Sequence, residues 1–157
     1  MLNNAIDHSS GTEVLIHVQR TAINTSILIY DDGEGIFKKI QRELQLNDER
    51  HAVLELAKGK LTTDPERHSG EGIFFTSRMF DEFMIRSGNV YFSHEFNRAI
   101  DWILEEAESQ FGTIVLMNLN NDISRTAKQI FDDFSSVDSD NYDFIKTVVP
   151  VYLAQLW

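Results

Sequence analysis

The sequence predicts an α+β fold of the two-layer sandwich kind, with helices covering a mixed, mostly antiparallel sheet. Three observations lead there. Apolar residues alternate at Val14, Ile16 and Val18, then run together at Ile27-Leu28-Ile29-Tyr30, the marks of a half-exposed and a buried strand. Helical apolar spacing occupies the stretch after Gly35 and returns after Gly72. Beyond residue 80, short β-rich segments follow one another with turn residues between them. Elements grouped in this way, rather than strictly alternating, belong to α+β architectures. With 157 residues and 42% hydrophobic content, the chain can fill one core, so a single domain over 1–157 is expected.

In chain order, Leu2 to His8 reads as a helix of at most two turns, too short to stand alone, and is expected to be the tail of a longer one. Gly11 breaks it, and Glu13 to Gln19 forms a strand. Ala22 to Thr25 turns the chain into a second strand, Ser26 to Tyr30, whose composition predicts a central position. The hairpin ends in Asp31-Asp32-Gly33-Glu34-Gly35. A helix follows from Ile36 to Leu46, and Asn47-Asp48 caps another over Glu49 to Lys58. Gly59 to Gly72 reads as a polar loop. A helix from Gly72 to about Phe83 crowds Ile73, Phe74, Phe80 and Phe83 on one side. Separate strands are expected at Phe83–Arg86, Val90–His94 and Ala99–Leu104, and another at Thr113–Met117, introduced by Gly112. Asp122-Ile123-Ser124 is the expected cap of a helix reaching Phe134. Ser135 to Asn141 reads as a mobile polar connection, and Thr147 to Leu153 as an edge strand beside Pro150.

The formal net charge of −11 works against binding to nucleic-acid phosphates or anionic lipid. The absence of cysteine excludes disulfides and thiolate metal sites. No apolar run approaches the roughly 20 residues of a membrane-spanning helix, and the first residues lack an export signal, so a soluble, cytoplasmic protein is expected. The five histidines fall at no usual zinc-ligand spacing. No serine lies in a nucleophile-elbow context.

Three segments carry chemistry: Asn4-Ala5-Ile6-Asp7-His8, Asp31-Asp32-Gly33-Glu34-Gly35, and His68-Ser69-Gly70-Glu71-Gly72 entering a helix. Each alone has a plain explanation, since Asp-Asp-Gly after a strand is ordinary turn sequence and glycine is common where helices begin. In this order and spacing they resemble the histidine-kinase-like (Bergerat) ATPase superfamily. The first segment resembles its N-box, most closely that of the bacterial anti-sigma-factor serine kinases. Asp31-x-Gly33-x-Gly35 resembles its first glycine box. Gly70-Glu71-Gly72 resembles the second, with His68 where a glycine usually stands. Lys58 to Gly72 is similar to a bacterial subgroup in which such a domain precedes a small STAS-like domain.

The resemblance implies a Bergerat fold that binds ATP and Mg²⁺. Asn4 would hold the metal through its side-chain oxygen. Asp31 would accept a hydrogen bond from the adenine amino group, and Gly33 and Gly35 would let the backbone approach the nucleotide. Gly70 and Gly72 would offer backbone N–H groups to phosphate at a helix start. His8, Ile36, Ser69 and Glu71 fall within or beside the same boxes and complete the implied binding set. Gly59 to Ser69 would be the lid, with Lys58, Lys60 and Arg67 as candidate phosphate contacts. The family's catalytic glutamate would lie about one helical turn before Asn4, ahead of Met1, so no catalytic residue is assigned. The expected function is a Mg-ATP-binding regulatory domain with a protein partner, such as a STAS-like domain, and kinase or ATPase activity in a longer parent. The alternative is a non-catalytic interaction module on the same scaffold. A helix cut short at Met1 is also expected to leave an apolar face uncovered, giving low stability or self-association.

Overall fold

The computed structural model describes residues 1–59, 72–98, 100–138, 141–144 and 151–155. In order these form α1 (Leu2–His8), β1 (Val14–Arg20), β2 (Asn24–Asp31), α2 (Ile36–Glu43), α3 (Glu49–Ala57), α4 (Gly72–Met79), β3 (Glu82–Glu95), β4 (Asp101–Asn120), α5 (Ala127–Phe134), β5 (Ser135–Asp138), β6 (Asn141–Phe144) and β7 (Val151–Gln155). The architecture is α+β, as the sequence predicts. One sheet has the order β1-β2-β4-β3, antiparallel throughout, and β7 adds to β4 in parallel. A separate pair, β5 and β6, is antiparallel.

The core lies on one face of the sheet. Ile29 of β2, Phe83, Ile85, Val90 and Phe92 of β3, and Ile103, Val115 and Met117 of β4 pack there against Ala5 of α1, Phe37 and Ile40 of α2, and Ala52, Val53 and Leu56 of α3. A second cluster joins α4 to α5: Phe74, Phe75 and Ile130 are buried, with Phe131 and Phe134 against them. The rings interlock in T-shaped and stacked pairs.

Several expected boundaries shift, each for a local reason. The segments expected at 83–86 and 90–94 are one strand, β3. Its pairing with β4 shifts register between Ser87 and Gly88 and again between Gly88 and Val90, with the extra residues on β4, and the inward phase of β3 changes there. Thus Phe83, Ile85 and Ser87 point inward before these shifts, and Val90, Phe92 and His94 after them. Residues 101–104 and 113–117 of two expected strands both belong to β4, because Gly112 sits inside the strand with φ +74 rather than ending it, and Ala99 lies outside the described residues. Helix α2 stops at Glu43, where Gln45 takes φ +54 and Leu46 N–H reaches back to the Gln41 carbonyl (2.9 Å), a Schellman ending. Helix α4 ends at Met79, so Phe83 belongs to the sheet. Helix α5 is capped at Thr126, not at 122–124: Thr126 N–H donates to Gln129 Oε1 (2.7 Å), and Gln129 N–H donates to Thr126 Oγ1 (3.2 Å). The stretch expected to be mobile, 135–141, supplies β5 and the first residue of β6. The last strand begins at Val151, and Pro150 lies outside the described residues. The Asp48 cap holds as expected, its carboxylate accepting His51 N–H at 3.0 Å.

Strand β1 forms the sheet edge opposite β3. Ile16 and Val18 pair in register with Ile29 and Ile27, on the face where the core continues, yet they are 48% and 60% exposed. An open strand edge beside an uncovered apolar face favours association. Light scattering over a concentration series should show the wild type associating and the double variant Ile16→Thr, Val18→Thr staying monomeric, with little change in melting temperature. A wild type that stays monomeric at high concentration would remove this reading.

Candidate functional site

Strand β2 ends at Asp31, opposite Thr113 of β4, and this register builds the floor of the site. Asp31 is buried, and its Oδ1 accepts Gly33 N–H at 3.0 Å, a tight Asx turn. Burial pushes the Asp31 carboxyl above its ordinary range, against the hydrogen bonds it accepts from Gly33 and from the N–H and hydroxyl of Thr113. Thr113 Oγ1 also accepts Ile36 N–H (3.0 Å), tying the start of α2 to the same point.

Glycines line this floor because neighbouring backbone leaves no space for a Cβ. At Gly112, φ is +74 and a Cβ would overlap the Asp31 carbonyl oxygen. At Gly35, φ is +93 and a Cβ would stand 2.6 Å from the Ser87 hydroxyl. That hydroxyl is fully buried and donates to the Gly112 carbonyl (3.0 Å). At Gly33 a Cβ would run into the Ser9 carbonyl.

Helix α1 closes one side. Ser9 at its end accepts Glu34 N–H (3.1 Å), and Lys39 Nζ donates to the His8 carbonyl (2.8 Å). Asp32 clasps the following loop, accepting from Thr12 N–H (2.7 Å), the Thr12 hydroxyl (2.7 Å) and Glu13 N–H (2.8 Å). The Glu13 and Thr12 bonds hold the Asp32 carboxyl below its ordinary range. Asn4 and His8 are half-buried on α1, whose Ala5 enters the core.

The structure therefore brings together the end of α1, Asp31, Gly33, Gly35 and Ile36. Gly72 opens α4, where a Cβ would meet no atom of the described residues within 4 Å. Lys60, Arg67, His68, Ser69, Gly70 and Glu71 lie outside the described residues. Lys58 pairs with Glu55 of its own helix. Among the described residues, no group of three or more His, Asp or Glu side chains is placed to hold a metal ion. Mg²⁺ would depend on Asn4 together with oxygens brought by its own ligand.

Three residues of the floor escape sequence reasoning. Gly112-Thr113 reads only as a strand start, although its glycine and hydroxyl both serve Asp31. Ser87 occupies an inward position of an alternating strand, and a polar residue in that phase is the signal that could have found it. Among the described residues, no helix is long and apolar enough to cross a membrane. No protein-family model and no curated protein matches the chain.

Gly112→Ala should destabilise the fold by more than about 1 kcal/mol, since alanine is strained at positive φ and here also meets the Asp31 carbonyl. Denaturant unfolding would measure it, and a loss below a few tenths would show that β4 can shift. The Asp31 shift has a sign as well. Its folded value is raised, so its contribution is fully present below the unfolded value and is lost as pH rises through the folded one. The stability of wild type relative to Asp31→Asn should therefore fall from pH 4 to pH 7.

Proposed function

We propose that the chain is a Bergerat-type, Mg-ATP-binding regulatory domain. The observation that carries this reading is the Asp31 floor. An ionised carboxylate has about four acceptor positions. Gly33 N–H occupies one of them. A further position would suit a donor such as an exocyclic amino group, which adenine presents and a guanine six-position carbonyl does not. Glycine at 33, 35 and 112 keeps the surrounding backbone tight and free of side chains. ATP would thus be recognised at its base by Asp31. By the resemblance, its phosphates would meet Asn4 with Mg²⁺ and the backbone at Gly70 and Gly72. Bound Mg²⁺ would neutralise phosphate charge, while this chain's own residues orient the nucleotide.

A non-catalytic interaction module is the second reading, favoured by the uncovered apolar residues of β1. In that case a protein partner, such as a STAS-like domain, would bind equally well to wild type and Asp31→Asn.

A thermal melt with Mg-ATP, Mg-GTP or Mg²⁺ alone tests the first reading. A ligand bound only to the folded state adds about 2.7 kcal/mol at roughly a hundredfold excess over its Kd. Mg-ATP should raise the melting temperature, Mg-GTP much less, and Asp31→Asn should abolish the difference. Equal shifts with both nucleotides, or none with either, would refute adenine recognition by Asp31.

A further inference from the structure

Along β1 a row of backbone groups faces no neighbouring strand. Thr21 N–H donates to the Asn24 carbonyl (2.8 Å) and Asp32 N–H donates to the Glu13 carbonyl (3.3 Å), flanking an unbroken register between β1 and β2. In an antiparallel ladder the N–H and C=O of one residue point to the same side, and the side alternates along the strand. Odd-numbered positions from 13 to 21 therefore face β2, while Val14, Ile16, Val18 and Arg20 turn N–H and C=O away from it. Among the described residues, β1 pairs with β2 alone. Its seven residues give about 24 Å of open edge, at ~3.4 Å per residue.

Sheet edges are ordinarily blunted by lysine, proline, a bulge or a covering element. Residues 14–20 contain no lysine, proline or glycine, and their register with β2 has no bulge. From Leu15 to Arg20 every residue is exposed. The strand is also free of acid in a chain whose formal net charge is −11, so it adds nothing to the repulsion between two copies.

The order of residues makes this edge complementary to itself. When two antiparallel copies meet about a two-fold axis at His17, Val14 faces Arg20 of the second copy and Ile16 faces its Val18. Each contact recurs in reverse, as a two-fold interface requires. Every outward-turned residue then exchanges N–H···O bonds with another outward-turned residue. An axis at Ile16 or Val18 leaves one outward residue of each copy beyond the end of the other strand, and a slip of one residue turns the bonding groups apart. Ile16 and Val18 lie on the same face as Ile29 and Ile27, so the exposed branched side chains of both copies form one stripe across the axis, a favourable pairing in sheets. Arg20 stands opposite Val14, so no two formally charged side chains oppose each other.

We infer that β1 docks on β1 of a second copy, antiparallel and centred on His17, so that two sheets become one. The pairing uses none of the residues of the Asp31 floor and stands whether or not nucleotide binds.

The chain has no cysteine, so single cysteines report this arrangement directly. Opposite residues that exchange no backbone bonds have Cα atoms ~4.5 Å apart, within disulfide reach. Copper-catalysed air oxidation of the folded protein should link His17→Cys to its counterpart about tenfold or more faster than Leu15→Cys or Gln19→Cys, whose own counterparts lie ~14 Å away. A mixture of Leu15→Cys with Gln19→Cys should regain fast linking, because those positions face one another. Val18→Pro removes an outward N–H and no bond to β2, so light scattering should show association weakened by about tenfold. Should Val18→Pro fail to fold, the cysteine pattern decides alone. A wild type that stays monomeric overturns the inference, as does a folded Val18→Pro that associates like wild type. Equal linking at the three positions, or none in the mixture, overturns it as well and would point to contact through the apolar face alone.

Discussion

Where Asp31 faces Thr113, two strands come closer than side chains allow, and Gly112 makes that approach possible. The Asp31 carbonyl occupies the space a Cβ at 112 would need, and the left-handed turn of the chain there lets β4 run on past it. From that contact the rest of the site follows. Thr113 turns its hydroxyl to Asp31 and to the first N–H of α2, Ser87 bonds to the Gly112 carbonyl, and Gly35 tucks against Ser87. Four elements are thereby fixed around one buried carboxylate: β2, β3, β4 and α2. A misplaced β2–β4 register would break the contact of Asp31 with Thr113, because a slip of one residue turns one of them to the other face.

The sequence made the elements near this point legible. The helix over Leu2–His8 and the Asp48 cap are as read, and the central place of β2 follows from Ile27-Leu28-Ile29-Tyr30. These signals are local: spacing, a capping side chain and a β-rich run. Where reading failed, the deciding interaction was not local. Gly88 and Gly112 look like chain breaks, yet each lies within a long strand because a partner strand holds its neighbours on both sides. The same limit applies to the site. Asp31, Gly33 and Gly35 are close in sequence and stood out as a group. Thr113 joins them only through strand pairing, which no pattern of spacing displays, and Ser87 only through its inward phase in β3. The Thr126–Gln129 cap was legible in principle, but Asp122 and Ser124 offered the same chemistry a few residues earlier.

Charge is spent unevenly across the molecule. Most ion pairs lie on exposed faces, such as Arg98 with Glu95 or Lys128 with Asp132, where solvent reduces their worth. Asp31 and Asp101 are different, being buried carboxylates shifted in opposite directions. Asp31 has only neutral donors and burial prevails; Asp101 has Arg78 and His94 and the partners prevail. One carboxylate is met by neutral groups and the other is bound to charged neighbours, and that difference in partners sets the two directions.

The long pairing of β2 with β4 also bears on how the chain acquires its shape. The β1–β2 and β3–β4 hairpins join residues near one another in sequence, whereas Thr25 meets Asn121 across 96 positions. Closing so large a loop costs entropy before any contact returns it, so the hairpins are expected to form first and the β2–β4 seam last. Asp31 and Thr113 lie on that seam. The carboxylate floor therefore comes into being only in the final step of folding, and collapsed intermediates with both hairpins intact would still lack it. Anything that recognises this floor distinguishes finished molecules from nearly finished ones.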